Sequence, residues 1–314
     1  MIKISLRHLR CFIAVAETGS FTAAGSRLSQ TQSSLTATIQ QFEEAVGLKL
    51  FVRTTRRVGL TEDAIRFKSV AERILRDFDN AIGDLQAIAK NQKGHVRIAA
   101  APSMIVHILT PALASLRRAH PDLTISVRDA GSAKIERAVL EGEVDFGIAS
   151  RLKNYPELDY VPMLTDPFGV IMPHDHPLAS SDEPIRWSDL APFEYILLTN
   201  DTGIGAFLEG YPELGLNPSS PYDHASSTTS LYAMLSLGGK ISVLPALAAQ
   251  AGPLKEFKFR ELCEPTITRE ICLITRQLRS FSANTRLILE ALTGTIRDAE
   301  HLNGATPAFD RLLT

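Results

Sequence analysis

Apolar residues recur at every third or fourth position near the start of the chain, the spacing that places them on one face of a helix. Ser5 is a suitable N-cap for a first helix, and Gly19 ends that helix. A second short helix follows at 23–28, and Thr31 caps a third that runs to about Val46. The pattern therefore predicts three short helices in close succession.

The third predicted helix has two contrasting faces. Leu35, Ile39 and Phe42 fall on one face, which predicts that it packs against a core. The opposite face is small and polar, as a helix needs to be if it reads bases in the major groove. A plain three-helix bundle with a solvated polar face is the alternative. The predicted DNA contacts on and beside this helix are Gln32, Ser33, Thr36, Gln40, Thr22 and Thr31.

Two short apolar arms flank a basic segment directly after these helices. The arms are 50–52 and 58–60, and the segment between them contains Arg53, Arg56 and Arg57. This pattern predicts a β-hairpin, or wing, whose arginines contact phosphates or a minor groove. Such contacts fix position on DNA rather than sequence.

A long helix is predicted next, because Thr61 is a suitable N-cap and Glu62 and Asp63 give an acidic first turn. Its apolar residues alternate at spacings of three and four, which is typical of a coiled-coil-like dimer with a second copy of the chain. Packing against its own chain is the alternative. The predicted dimerisation residues are Phe67, Ala71, Ile74, Phe78 and Leu85.

After a hinge at 91–94, apolar strands alternate with helices, which predicts an α/β region with a parallel sheet. Two similar halves with a cleft between them would bind a ligand at the carboxyl ends of the strands. Separate strands are predicted at 160–164 and 169–172, and the tail 301–314 is expected to be frayed. The predicted division is 1–61 (winged helix-turn-helix), 62–93 (linker helix) and 94–300 (two lobes, about 94–165 plus 270–300, and 166–269).

Composition adds one informative feature to this picture, an uneven charge. Residues 1–93 contain 14 Lys and Arg against 9 Asp and Glu, whereas the remainder contains 19 against 26. A basic start on an acidic body predicts that the first part alone meets a polyanion, although the overall net charge is only -2. Three scattered cysteines make no disulfide framework and fit a cytoplasmic location. No apolar run reaches the length of a membrane span, and no signal peptide is expected.

The order of motifs resembles that of the LysR-type transcriptional regulators over residues 5–300. The matching segments are 6–12, 16–24, 31–36, 48–53 and 60–62 in the first part, and 145–149, 176–179 and 238–245 in the second. The resemblance implies a winged helix-turn-helix, a dimerising linker helix and a two-lobed α/β effector domain like the periplasmic binding proteins. It also implies dimers or tetramers on double-stranded DNA, and activation of a neighbouring operon would involve RNA polymerase.

The chain departs from the family pattern in the recognition helix. Family members often have Ser-Gln-Pro-Ala at its start and Ser-Arg shortly after, whereas this chain has Thr31-Gln32-Ser33-Ser34 and Thr36-Ala37. An arginine contact is therefore missing at position 37, and we expect an altered operator sequence.

The resemblance also implies which loops hold a small-molecule effector. Ser103 and Thr202 lie where helices are about to begin, and helix N-termini favour carboxylates, so an organic or aromatic acid is expected. Each hydroxyl could equally be an ordinary helix cap. The implied effector residues are Ser103, Met104, Ser132, Thr199, Thr202, Ser226 and Thr228.

Catalytic and cofactor motifs are not found in the sequence, so neither an enzyme nor a bound cofactor is expected. His174-Asp175-His176 is a weak metal candidate between two prolines, and no metal site is predicted there. Redox activity of Cys263 or Cys272 stays open. The main alternative function is a cytoplasmic solute-binding protein whose head serves docking or dimerisation.

Overall fold

The computed structural model forms two compact units, residues 1–89 and 90–314. The predicted hinge at 91–94 and the predicted wing residues Arg56 and Arg57 lie outside the residues that the structure describes. The described residues are 4–53, 58–89, 95–180, 183–215, 223–277, 281–298, 302 and 304–308.

The first unit has the predicted helices and hairpin. Thr31 Oγ1 accepts a hydrogen bond from the Ser34 N–H (3.2 Å), which confirms Thr31 as a cap. Gly19 and Gly47 end their helices with φ of 62° and 72°, the left-handed conformation that favours glycine. The elements are α1 (Leu6–Thr18), α2 (Phe21–Arg27), α3 (Gln32–Val46), β1 (Phe51–Arg53), β2 (Val58–Leu60) and α4 (Glu62–Ala89).

A cluster of aromatic rings forms the centre of this unit. Phe12 is fully buried, and its ring centroid lies 6.2 Å from that of Phe42, 5.6 Å from that of Phe51 and 5.5 Å from that of Phe67. Because these rings belong to α1, α3, β1 and α4, the cluster joins the helices to the hairpin.

The apolar face of α4 divides into two parts. Ala71 is fully buried in the core of the first unit, which corrects its assignment to a dimer contact. Phe67 is partly buried and packs against the same core. In its first turns, α4 therefore packs against its own chain, which was the alternative to a dimer contact. Ile74, Phe78 and Leu85 are exposed, so the apolar positions beyond Ala71 that were predicted for a dimer contact are not covered by the first unit.

The second unit is an α/β structure, and nine of its described strands join in one sheet. As predicted, β3 pairs in parallel with β4 and β5, but β12 and β6 cross the sheet antiparallel to their neighbours. The helices are α5 (Pro102–Met104, Ile105–Leu109 and Thr110–Ala119 in succession), α6 (Ser132–Leu140), α7 (Ile204–Leu208), α8 (Thr228–Leu235), α9 (Ala246–Ala249) and α10 (Ala283–Arg297). The strands are β3 (His95–Ala100), β4 (Thr124–Asp129), β5 (Phe146–Ser150), β6 (Leu158–Met172), β7 (Ile185–Arg186), β8 (Ile196–Leu198), β9 (Asp223–Ala225), β10 (Ser242–Pro245), β11 (Lys258–Cys263), β12 (Thr268–Arg276) and β13 (Thr306–Pro307).

Helix α5 contains a π-helical turn at Ile105–Leu109, where the Thr110 N–H bonds to the Ile105 carbonyl five residues back. Pro111 has no N–H to donate to the ladder, so the wider turn falls where an α-helical hydrogen bond is lost in any case.

Strand β6 is continuous through 158–172, which corrects the prediction of two strands there. The predicted gap at 165–168 does not occur, because Asp166 is paired across the sheet and the Phe168 N–H bonds to the Ile267 carbonyl at 2.8 Å. The core on one side of this crossing is formed by residues between Phe168 and Ile267, and two further cores are formed by residues before and after that stretch together with Leu247. The crossing strands thus join two lobes.

The tail is partly ordered, contrary to the expectation for 301–314. Thr306 and Pro307 pair with Thr165 and Leu164 of β6, and Leu302 is buried in the lobe core. The tail pairs with the strand that crosses between the lobes.

Candidate nucleic-acid interface and ligand cavity

Helix α3 exposes the polar face that the sequence predicts. Leu35, Ile39 and Phe42 are buried in the core, which fixes the orientation of the helix. The residues of the opposite face line one shallow concavity on the surface: Gln32, Ser33, Thr36, Ala37 and Gln40. They supply amide and hydroxyl groups, which can hydrogen-bond to base edges or phosphates.

The two predicted threonines hold this face in place. The Thr22 hydroxyl of α2 donates to Gln32 Oε1 at 3.1 Å, and Thr31 Oγ1 lies 3.1 Å from Ser33 Oγ. These bonds tie the first turn of α3 to α2 and orient the side chains that begin the polar face. Both threonines are exposed and stand beside that face.

The hairpin beside α3 is antiparallel, with Arg53 opposite Val58. The backbone of Arg53 lies at the end of β1, whereas its side chain and the whole of Arg56 and Arg57 are outside what the structure describes. The arms of the predicted wing are confirmed, and the role of its arginines stays a prediction.

Glu43, which the sequence analysis did not single out, joins α3 to the hairpin. Its Oε1 accepts the N–H groups of Leu50 (2.9 Å) and Phe51 (3.4 Å), and Oε2 lies 2.7 Å from Lys49 Nζ. Burial alone would raise the pKa of this carboxyl, but these hydrogen bonds outweigh it and hold the pKa below its ordinary value. The sequence signal for this role was the position of Glu43, an acidic residue on the largely apolar side of the third predicted helix.

A cavity of about 250 Å³ lies between the lobes of the second unit. Loops that follow β3, β4, β8 and β9 surround it, as expected for carboxyl ends of strands. Its polar and charged lining residues are Ser103, Asp129, Lys134, Asp201, Thr202, Ser226, Ser227, Thr228, Thr229 and Arg269.

Four of the implied effector residues line this cavity: Ser103, Thr202, Ser226 and Thr228. The others lie elsewhere. Met104 is fully buried in a lobe core, and the Thr199 hydroxyl donates to the Asp201 carboxylate. Ser132 is buried beside Gly203, where the loops of the two lobes meet. The loops were predicted, but these three side chains do not line the cavity.

The inner wall of the cavity contains an ion pair that the sequence analysis missed. Arg269 on β12 lies opposite Asp166 on β6, and its Nε and Nη2 donate to Asp166 Oδ2 at 3.0 and 2.7 Å. Nη2 also donates to Ser103 Oγ at 3.1 Å, and Asp166 Oδ1 accepts the Leu247 N–H at 3.1 Å. Both side chains are at least nine-tenths buried. The sequence signal for this ion pair was the presence of two opposite charges, Asp166 and Arg269, each within an apolar strand.

Two more carboxylates stand around the cavity in different environments. Asp201 lies 3.7 Å from Lys134 Nζ, and its pKa is lowered by the Thr199 hydroxyl first and by Lys134 as well. Asp129, at the end of β4, is exposed, and its carboxylate makes no hydrogen bond or ion pair with the described residues. The lining therefore includes one paired carboxylate and one unpaired one.

The two histidines of His174-Asp175-His176 lie in different environments. Among the described residues, no group of three His, Cys, Asp or Glu side chains is arranged to hold a metal ion. His174 Nε2 lies 2.9 Å from the Glu256 carbonyl, and His176 is buried against Phe193 with ring centroids 4.5 Å apart. Burial lowers the pKa of His176 despite the nearby Asp175, while Nδ1 accepts the Leu178 N–H.

His176 is expected to make the second unit less stable as the solution is acidified. The pKa of a buried neutral histidine lies below its unfolded value of 6.5, so its contribution is complete above pH 6.5 and is lost as pH falls through the folded pKa. Urea unfolding of the full chain at pH 5.5 and 7.5 measures this loss. H176N retains an acceptor for Leu178 but does not titrate, so the pH dependence should shrink; an unchanged difference would contradict the assignment.

Cys263 and Cys272, the two cysteines of the second unit for which redox activity was left open, differ in environment. Cys272 is fully buried, and burial together with Glu270 raises the pKa of its thiol to about 12, which disfavours the reactive thiolate. Cys263 is half-buried, and its Sγ lies 3.4 Å from the Ile185 carbonyl.

Both regions of the chain match family models. Residues 6–65 match the bacterial regulatory helix-turn-helix protein, lysR family, and residues 89–297 match the LysR substrate binding domain. The transcriptional regulator YbhD of Escherichia coli K12 is 28% identical over 279 residues, covering 88% of this chain and 87% of its own. The crystal structure of full-length BenM has 26% identity and a TM-score of 0.56, covering 97% of this chain and 99% of its own. The chain is also similar in sequence to the transcriptional regulator BenM of Acinetobacter baylyi.

A structure of full-length CbnR with its target DNA shares the fold, with a TM-score of 0.62 at 21% identity and coverage of 94% and 99%. A polar helix face beside a hairpin, together with a two-lobed unit around a cavity, defines a DNA-binding regulator with an effector domain. The chain belongs to the LysR family of transcriptional regulators. No helix in the described part of the chain is both long and apolar enough to cross a membrane.

Proposed function

We propose that this regulator reads a partly palindromic operator with the polar face of α3, and that the hairpin arginines Arg53, Arg56 and Arg57 contact the DNA backbone. The observation that supports this is the exposed row of amide and hydroxyl groups from Gln32 to Gln40 on a helix held rigidly by its buried side. Ala37 breaks the row with an apolar methyl, which suits contact with a thymine methyl group.

Self-association follows from the part of α4 that the first unit leaves exposed. Ile74, Phe78 and Leu85 continue the apolar face beyond the core of their own unit, and a second copy of α4 would cover them. Two copies would place two recognition helices about one DNA turn apart, and pairing of dimers would give a tetramer.

The cavity of the second unit is proposed to hold a small effector with a carboxylate group. Its support is Arg269, whose Nη1 makes no hydrogen bond to the described residues although the rest of the guanidinium is paired. Effector binding would change DNA binding by favouring one arrangement of the lobes, which requires a different affinity for each arrangement.

Gln32→Ala is expected to relax base preference at one position of each half-site, with a loss of discrimination of about 1–3 kcal/mol. The amide of Gln32 can make two hydrogen bonds to an adenine, and alanine can make none. Footprinting on the promoter beside the regulator's own gene locates the site, and affinities for single-base variants of it measure the preference.

Gln41→Ala is the matched control, because Gln41 is an exposed amide on the same helix outside the concavity of the polar face. It should leave base preference unchanged. Equal effects of the two substitutions, or protection that is neither salt-dependent nor sequence-selective, would contradict the proposed function.

A further inference from the structure

We propose that the effector is a zwitterion of the amino-acid class, with its carboxylate on Arg269 and its ammonium group on Asp129. The inference rests on the proposed function of the cavity and adds the chemistry of its ligand. It comes from two groups at the cavity, Nη1 of Arg269 and the Asp129 carboxylate, which make no hydrogen bond or ion pair with the residues that the structure describes.

The carboxylate subsite is built around Arg269. Its side chain is only 6% exposed, and Asp166 and Ser103 occupy Nε and Nη2, so the planar guanidinium is fixed. Arg269 lines the cavity, and its Nη1 makes no hydrogen bond to the described residues. A charge-assisted hydrogen bond from Nη1 would hold a carboxylate oxygen. Helices α5 and α8 begin at the same cavity, at Pro102 and Thr228, and their N-termini favour negative charge there.

The charge balance disfavours a simple acid. Asp166 neutralises Arg269 and Asp201 neutralises Lys134, so Asp129 leaves the set with a net charge of -1. A monoanion would gain at Arg269 and be repelled by Asp129. An amino acid brings a cation for Asp129 and an anion for Arg269, and it leaves neither group unpaired.

Asp129 is suited to select the ammonium group. It lines both the cavity and a neighbouring surface groove, as Lys134 does. A cavity of about 250 Å³ is small compared with the sites of drug-sized ligands, roughly 300–1,000 Å³, and suits a compact ligand.

The test measures binding of matched ligands to the full-length protein by calorimetry and thermal shift. The set is the twenty common L-amino acids, each with the acid that lacks the amino group and the amine that lacks the carboxylate; L-leucine, 4-methylpentanoate and 3-methylbutylamine are one trio. At least one amino acid should raise the Tm and bind tenfold or more tightly than both of its analogues.

Asp129→Asn should remove the preference for the amino acid over the matched acid, because the amide cannot pair with the ammonium charge. Asp159→Asn is the control, since Asp159 is an exposed carboxylate of the same unit outside the cavity lining, and it should keep the preference. Both substitutions lie on the surface, so neither requires the core to repack.

Three results would overturn the proposal: an acid or amine that binds as tightly as its amino acid, no binding by any member of the set, or a preference that survives Asp129→Asn. Binding of acids without amino-acid preference, accompanied by a change in the DNA footprint, would reject the zwitterion and leave the proposed function intact. Failure of the protein to protect any DNA site would instead reject the proposed function.

Discussion

Replacing Phe12 by alanine is expected to lower the free energy of unfolding of the first unit by about 3–5 kcal/mol, the usual range for a fully buried phenylalanine. The ring lies among Phe42, Phe51 and Phe67, so its removal leaves a cavity where four elements of the unit meet. Because domains are typically stable by only about 5–15 kcal/mol, DNA binding should fail at a much lower temperature.

The measurement is denaturant unfolding of the full chain, with DNA binding followed as temperature rises. Leu48→Ala is the matched control, because Leu48 is 53% exposed in the same unit and makes no part of the buried core. Its effect should stay within about 0.5 kcal/mol, as for most surface substitutions. Similar losses in the two variants would show that the aromatic cluster is not the main source of stability in this unit.

Replacing Asp166 by alanine is expected to cost the second unit about 3–5 kcal/mol, because it leaves a buried arginine without its counter-charge. The Leu247 N–H also loses its acceptor, and Arg269 loses two of its hydrogen bonds. Denaturant unfolding of the full chain, observed through the transition of the second unit, measures the loss.

A double-mutant cycle separates the ion pair from simple loss of packing. Arg269→Met and Asp166→Ala are each expected to be strongly destabilising, whereas the double variant contains no unpaired charge and should cost much less than the sum. Additive losses would contradict a coupled pair. The cycle also identifies Asp166 as a positioning residue, since its loss should weaken ligand binding only while Arg269 is present.

The sequence predicts the first unit well, because short amphipathic helices with strong caps are determined locally. Thr31 and Gly47 bound α3 as expected. The apolar periodicity of α4 could not show what its face packs against, however. Phe67 and Ile74 have the same spacing in the pattern, yet one packs in the core of its own unit and the other is exposed.

In the second unit, the loops of the cavity were predictable because carboxyl ends of parallel strands meet at one edge. The ion pair was not, because Asp166 and Arg269 are 103 positions apart and meet only through the antiparallel register of β6 and β12. The same pair explains the missed continuity of β6. A charged residue followed by proline has the pattern of a break unless its partner on another strand is known.

Glu43 has a consequence for the spacing of the contacts that each copy makes with an operator. Since one carboxylate binds the end of α3 to the first residues of the hairpin, the helix and the base of the wing have a constant separation. The distance between the base-reading helix and the first residues of the hairpin is therefore expected to be the same in each copy. An effector that alters the footprint would then act by changing the distance between copies. The change would be visible in the protected DNA as a different spacing between the half-sites.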